Sequence, residues 1–126
     1  MTLTTVVILV LLLYLLQIFL QETSRYGFNL WLILGNRDKL PEATLIAARL
    51  DRAKNNMQEA LPFFLGLAML ALVKGGDSGQ PVNGAIVFLV ARAIYVPIYA
   101  AGIPVLRSLV WLAGMGGLLM MALPLV

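Results

Sequence analysis

Four polar residues in the middle of the chain are spaced so that an α-helix places them within one narrow arc. They are Arg49, Arg52, Asn56 and Glu59. An apolar run of about 14 residues follows, from Ala60 to Val73, and it covers only roughly 21 Å at the helical rise of about 1.5 Å per residue. A bilayer core is about 30 Å thick, so this helix must draw part of the polar arc into the membrane. Charges at that depth need a partner or a polar ligand, and the arc therefore predicts a binding site within the bilayer.

A second polar group lies on another apolar segment, where Arg92, Tyr95 and Tyr99 share one helical face. Counted from the connector at residues 74–81, the Arg92 backbone lies about 15 Å deep and Glu59 about 21 Å deep. An unpaired arginine at a helix centre costs about 2.5 to 3.5 kcal/mol on insertion scales. We therefore predict an ion pair between Glu59 and Arg92, or its equivalent through a shared ligand. A purely structural interhelical pair is the alternative interpretation.

Other residues of these two groups also have ordinary interpretations. Arg49, Arg52 and Lys54 could simply extend to lipid headgroups, and the two tyrosines could be interfacial aromatics. A mid-helix Asn56 one turn from the charged residues is better explained by an interhelical or ligand hydrogen bond than by lipid contact.

The composition predicts one small integral membrane domain that covers residues 1–126, since 61% of the side chains are hydrophobic and only 12% are charged. The chain has no histidine and no cysteine, which argues against a soft-metal site, a disulfide and a thiol nucleophile of its own. Any sulfur chemistry must then come from a ligand. The net charge of +3 is concentrated in loops and at helix ends, so it indicates topology and not nucleic-acid binding.

The apolar runs predict an all-α bundle of four transmembrane helices, with a long loop after the first span. No basic residue precedes the first run and no small-residue cleavage pattern follows it, so we expect a retained span and not a signal peptide. The predicted spans are about 3–21, 42–73, 82–101 and 104–123.

The distribution of basic residues predicts the orientation of these spans. Those between the first span and the apolar part of the second are Arg25, Arg37, Lys39, Arg49, Arg52 and Lys54. The connector on the other side carries only Lys74, so the first side is expected to be cytoplasmic. Arg107 falls on that same side, and both termini should therefore face away from the cytoplasm.

The second span contains the pattern R-x-x-R-A-x-x-N-x-x-E-x-x-P, from Arg49 to Pro62. This pattern resembles the signature of the membrane-associated proteins in eicosanoid and glutathione metabolism, the MAPEG family, and in particular its bacterial members. The resemblance extends over the whole chain. It continues in Ala91-Arg92 with Tyr95 and Tyr99, and in Arg107-Ser108.

The resemblance implies a homotrimer that binds glutathione, as a co-substrate, between neighbouring subunits near the cytoplasmic side. The implied glutathione-binding residues are Arg49, Arg52, Asn56, Glu59, Tyr95 and Tyr99, with Arg92 bracing the site. Arg107, together with Ser108, matches the position at which family enzymes stabilise the glutathione thiolate. No metal is expected.

The resemblance further implies a transferase or peroxidase of a bacterial type, in which the thiolate attacks a lipophilic electrophile or reduces a lipid hydroperoxide that enters from the bilayer. The lack of a signal peptide, the small size and the loop chemistry fit an inner membrane. Arginines and one glutamate complement the carboxylates and the amine of glutathione. A free thiol has a pKa of about 8.5, so a site that keeps it mostly ionised near neutral pH must lower this pKa by roughly two units. That shift corresponds to about 2.7 kcal/mol, which one guanidinium in a partly dry site can supply.

Two other functions stay open. The first is a noncatalytic member of the family that binds a thiol or a lipid without turnover. The second is a small four-span multidrug exporter, which we rank lower because such exporters usually place their essential carboxylate in the first span. The first span here has no acidic residue before Glu22.

Overall fold

The computed structural model describes residues 1–25, 44–75 and 79–126, and these ranges contain four long α-helices. We number them in chain order: α1 is Leu3–Arg25, α2 is Leu45–Val73, α3 is Gln80–Ala101 and α4 is Pro104–Ala122. A 3-10 turn, Leu123–Leu125, follows α4. Each long helix is apolar enough to cross a membrane, which confirms the prediction of an all-α protein with four spans. The predicted loop of residues 22–40 begins as the last turn of α1, and its part from residue 26 lies outside the described residues.

Local sequence signals fix the helix ends nearest the predicted site. The side chain of Thr44 caps α2 by accepting a hydrogen bond from the backbone N–H of Ala47, at 3.1 Å. Helix α3 ends at Gly102, whose φ of 75° is the left-handed conformation that glycine adopts most easily. Pro104 then opens α4. Because only Gly102 and Ile103 separate the two helices, the end of α3 and the start of α4 are held close together.

The core lies between the helices, and it contains a stacked aromatic pair. The rings of Phe64 on α2 and Phe88 on α3 have centroids 4.7 Å apart and an interplanar angle of 12°. Buried aliphatic and methionine side chains belong to the same core, among them Leu3, Val6, Val10, Met57 and Met121. Many large apolar side chains elsewhere on the four helices face outward, as suits a protein in lipid.

Helices α3 and α4 approach each other closely where two glycines, Gly84 and Gly117, face each other. A Cβ atom added at Gly117 would lie 2.6 Å from the carbonyl oxygen of Gly84 and 2.7 Å from the backbone nitrogen of Phe88. Neither atom belongs to a flexible side chain that could move aside. The backbones can therefore come this close only because both positions lack a side chain, as in other membrane helix pairs built on small residues.

Replacing Gly117 with alanine should push α3 and α4 apart, and we expect it to destabilise the protein by about 1 to 3 kcal/mol through overpacking. Thermal unfolding of the detergent-purified protein would measure the effect. Gly116→Ala is the matched control, because a Cβ there meets no atom within 4 Å. Equal unfolding temperatures for the two variants would contradict this account of the interface.

The polar residues singled out in the sequence gather at one end of the bundle, where α2 and α4 begin and α3 ends. At the opposite end, two side chains bind backbone carbonyls near the end of α4. Lys74 Nζ donates to the oxygen of Leu125 at 3.1 Å, and Gln80 Nε2 donates to the oxygen of Met120 at 3.2 Å. The candidate site residues on α2, α3 and α4 thus lie at the end of the bundle opposite to Lys74 and Gln80.

Candidate functional site

A cavity of about 450 Å³ lies among α2, α3 and α4 at the polar end of the bundle. We call it the main cavity, and its lining residues are Arg52, Asn56, Tyr95, Tyr99, Arg107, Ser108, Trp111 and Leu112. The first six are site residues that the sequence predicts. The cavity therefore combines side chains from three helices that are distant in the sequence, and its size is within the range of small-molecule sites.

Tyr99 is the centre of the cationic part of the main cavity. Its hydroxyl oxygen accepts a hydrogen bond from Arg52 Nε at 3.2 Å, and the guanidinium carbon of Arg107 lies 4.8 Å from the centre of its ring. Two positive charges are thus held on one aromatic side chain, by a hydrogen bond and by a cation–π contact. The O–H of Tyr99 remains available as a donor, so this part of the cavity suits an anionic group.

Arg92 is buried next to the main cavity and contacts two of the residues that line it, Asn56 and Tyr95. Its side chain is only 1% exposed, and Nη1 donates to Oδ1 of Asn56 at 2.8 Å. The guanidinium carbon also lies 4.4 Å from the centre of the Tyr95 ring, and that ring contacts Tyr99 edge to face. Because the oxygen of the Asn56 amide is bound to Arg92, its NH₂ group is the part left to bind a ligand, and it requires an acceptor.

The prediction of a direct ion pair between Glu59 and Arg92 is wrong, because the hydrogen-bond partner of Arg92 is Asn56. Arg92 extends along its own helix onto the ring of Tyr95, one turn ahead, and there it meets Asn56 instead of Glu59. Within the described residues, the salt bridge found on α2 joins Lys54 to Asp51, at 3.2 Å. A contact between Glu59 and Arg92 through a shared ligand stays a prediction.

Glu59 lines a separate cavity of about 190 Å³, which we call the Glu59 cavity. Its other lining residues are Asn56, Ala60, Phe63, Trp111 and Met115. Asn56 and Trp111 line both cavities, so the two adjoin each other at these side chains. A carboxylate among apolar side chains suits a cationic group, and an elongated ligand could place its cationic end here and its anionic groups in the main cavity.

Arg49 lies outside the main cavity, although the sequence places it in the binding set. Its Nη1 donates to the carbonyl oxygen of Ala100, at 3.1 Å, in the last turn of α3, where a cation is favoured by the helix dipole. Its guanidinium also packs against Gly102, where an added Cβ would come within 2.7 Å of it. Arg49 therefore secures the α3–α4 turn, and it borders a polar cavity of about 180 Å³ that also contacts Arg52, Tyr99 and Arg107.

Two of the residues that line the main cavity, Trp111 and Leu112, are absent from the sequence-based prediction. They lie one helical turn after Arg107 and Ser108, and this spacing of four residues is the signal that could have revealed them. The hydroxyl of Ser108 donates to the carbonyl oxygen of Pro104 at 3.2 Å, so its oxygen is the group that faces a ligand as an acceptor. Trp111 and Leu112 give the otherwise polar cavity an apolar edge.

Comparison with protein-family models matches residues 1–126, the whole chain, to the MAPEG family. Searches of curated proteins and of solved structures give no match. The family match spans all four helices and therefore every residue of the candidate site.

Proposed function

The chain belongs to the MAPEG family, and on that premise we propose that it is a glutathione-dependent membrane transferase. The observation that supports this activity best is the main cavity, in which Arg52, Tyr99 and Arg107 form a cationic surface around one space. Glutathione brings two carboxylates, an amine and a thiol. The two adjoining cavities offer a complementary group for each of these charges.

In this proposal Arg52 and the NH₂ group of Asn56 bind the carboxylate or carbonyl oxygens of the tripeptide, and Glu59 binds its amine. Arg92 positions Asn56 and Tyr95 through its hydrogen bond to the former and its contact with the ring of the latter. The thiol lies against Arg107, whose guanidinium and position in the first turns of α4 both favour a negative charge. Glutathione would then extend from Arg107 past Asn56 to Glu59, along cavities that adjoin each other.

The reaction begins when the thiol loses its proton to solvent and the thiolate is held by Arg107. The sulfur then forms a bond to an electrophilic carbon of the second substrate, and the leaving group departs with the bonding electron pair. With a lipid hydroperoxide, the thiolate instead attacks the terminal oxygen, which releases an alcohol and leaves a sulfenic acid on the sulfur. A second glutathione reduces that acid to the disulfide and water.

The protein is a multi-pass integral membrane protein. We place it in a bacterial inner membrane as a homotrimer, with each glutathione between neighbouring subunits and both termini away from the cytoplasm. The basic residues near the start of α2 and Arg107 near the start of α4 support this orientation, since such residues favour the cytoplasmic side. Lipophilic electrophiles would reach the site from the surrounding lipid.

Calorimetry with reduced glutathione on the detergent-purified protein tests the binding step. We expect Arg52→Gln to weaken the affinity about tenfold, because it removes one charge-assisted hydrogen bond to the tripeptide. Lys54→Gln is the matched control, since Lys54 lies on the same helix but binds Asp51 at 3.2 Å and not the main cavity. Conjugation of an aryl halide by the purified protein then tests turnover.

Each outcome separates the alternatives. Binding with turnover supports the transferase, whereas binding without turnover favours the noncatalytic member of the family. Absence of glutathione binding to the unsubstituted protein would overturn the proposal.

A further inference from the structure

Two buried polar side chains of the bundle, Gln17 on α1 and Arg92 on α3, have atoms that meet no hydrogen-bond partner within the described residues. Gln17 is 3% exposed and Arg92 is 1% exposed. The atoms concerned are Oε1 of Gln17, which is an acceptor, and Nε and Nη2 of Arg92, which are donors. A buried polar atom without a partner is costly, above all at membrane depth, where lipid offers none. Each of these two side chains therefore needs a polar partner of the opposite kind.

The unpartnered donors of Arg92 lie along one edge of its planar guanidinium. The remaining nitrogen, Nη1, donates to Oδ1 of Asn56 at 2.8 Å, and the guanidinium carbon lies 4.4 Å from the centre of the Tyr95 ring. These contacts hold the group in place and leave the other edge unused. Along that edge Nε and Nη2 offer two N–H groups in a fixed, nearly parallel arrangement, so one oxygen atom can accept from both.

The order of buried residues along three helices shows at what depth Gln17 lies. Helix α1 packs against both α2 and α3. Counted from the end of the bundle opposite to the polar end, each of these helices contributes three buried residues to the core, about one turn apart. They are Leu3, Val6 and Val10 on α1, Ala71, Ala68 and Phe64 on α2, and Val82, Ala85 and Phe88 on α3. The stacked rings of Phe64 and Phe88 mark the level of the third residue in each set.

Seven residues further toward the polar end, or about 10 Å along each axis, the three helices reach a polar level. On α1 this residue is Gln17, and on α2 it is Met57, the neighbour of Asn56. On α3 it is Tyr95, whose ring contacts the guanidinium of Arg92. Because Gln17 is buried, its side chain faces the other helices and not lipid. One unpartnered acceptor and two unpartnered donors therefore lie at the same level of one core.

We propose that Gln17 is a positioning residue of the glutathione site, and that one buried water connects its Oε1 to the unused edge of the Arg92 guanidinium. The water accepts from Nε and Nη2 and donates to Oε1. Neither side chain reaches the other directly, and buried waters commonly bridge polar groups in this situation. Arg92 in turn holds the oxygen of Asn56, whose NH₂ group is left for the ligand. The role in binding rests on the proposed function, whereas the bridge itself does not.

NMR of the arginine side chains tests the bridge without any ligand. In the detergent-purified, arginine-labelled protein, the Nε–H resonance of Arg92 is identified by its loss in Arg92→Lys. We expect a cross-peak between this resonance and water, and we expect Gln17→Met to abolish it, since methionine keeps the length of the side chain without the amide. Gln21→Met is the matched control, because Gln21 is also buried, one turn further along α1. Absence of the cross-peak from the unsubstituted protein, or an equal cross-peak in Gln17→Met, would overturn the proposal.

Gln17→Glu gives a second test that does not depend on the folding of the methionine variant. Glutamate keeps an oxygen at the same place and adds a negative charge, which strengthens the hydrogen bonds that reach it. We expect the Arg92 Nε–H resonance to move downfield and to exchange more slowly with solvent. If Gln17 only filled space, the resonance would stay where it is in the unsubstituted protein, and that result would rule out the bridge.

Glutathione calorimetry separates failure of this inference from failure of the proposed function. We expect Gln17→Met to weaken the affinity about two- to tenfold, the range for one ordinary hydrogen bond, because Asn56 is held less firmly. Gln17→Glu should retain the affinity of the unsubstituted protein. Unchanged affinity in Gln17→Met would show that Gln17 does not position the site, while the transferase stands. If the unsubstituted protein binds no glutathione, the proposed function fails, and the water cross-peak still decides whether Gln17 and Arg92 are connected.

Discussion

Replacing Arg107 with alanine is expected to lower kcat for conjugation about 25-fold at pH 7, with a much smaller effect on the affinity for glutathione. If Arg107 lowers the pKa of the bound thiol from about 8.5 to about 6.5, its loss reduces the ionised fraction at pH 7 from roughly three quarters to about 3%. The same arithmetic makes the defect less than about twofold at pH 9, where the thiol ionises without assistance.

This dependence on pH distinguishes the thiolate role from a structural one. The ultraviolet absorbance of bound thiolate, titrated in the unsubstituted protein and in Arg107→Ala, measures the ionised fraction directly. Arg107→Lys keeps the positive charge and should retain more thiolate than Arg107→Ala does, although lysine lacks the planar contact with the Tyr99 ring. A defect of equal size at pH 7 and pH 9 would remove Arg107 from the ionisation step.

The positions of the helices along the chain and one face of the candidate site can be predicted from the sequence, because both depend on fixed helical geometry. A helix repeats every 3.6 residues whatever surrounds it, so Arg92, Tyr95 and Tyr99 must share a face, and the structure places all three beside one another. Gly102, with Pro104 close behind it, marks the short junction between α3 and α4, since these two residues end one helix and begin the next.

The partner of Arg92 could not be read from the same geometry. Counting backbone rise gives the depth of a Cα atom, but a guanidinium extends over more than one helical turn and in either direction. The ring of Tyr95 decides the direction, and Asn56 on α2 is then the acceptor within reach. This choice depends on the rotation of α2 against α3, which residue spacing within one helix does not specify.

Arg49 and Trp111 are two further residues whose contacts cannot be predicted from residue spacing within one helix. Arg49 shares the polar arc of α2, yet it binds the end of α3, because the α3–α4 turn lies beside the start of α2. Trp111 is an apolar residue in an apolar span, so its type alone does not distinguish a cavity wall from a lipid-facing position. Only the packing of α4 beside α2 and α3 turns its indole toward the site.

Replacing Asn56 with aspartate is expected to weaken the affinity for glutathione about 100-fold, the larger end of what a charge-assisted hydrogen bond supplies. Arg92 Nη1 already holds one side-chain oxygen of residue 56, at 2.8 Å. An aspartate of the same shape can keep that bond with one oxygen. The other oxygen then replaces the NH₂ group, so a donor becomes a negatively charged acceptor that faces the carboxylate or carbonyl oxygens of the tripeptide.

Calorimetry measures this loss, and thermal unfolding shows whether the fold survives. We expect the unfolding temperature to be unchanged or higher, since the buried Arg92 exchanges a neutral acceptor for a charged one. Asn55→Asp is the matched control, because it adds the same charge at the next position on α2, on an exposed side chain that does not line the main cavity. If Asn55→Asp weakens binding as much as Asn56→Asp does, the effect is one of overall charge. If neither does, the amide of Asn56 does not contact the tripeptide, and the placement of glutathione along Arg107, Asn56 and Glu59 must be abandoned.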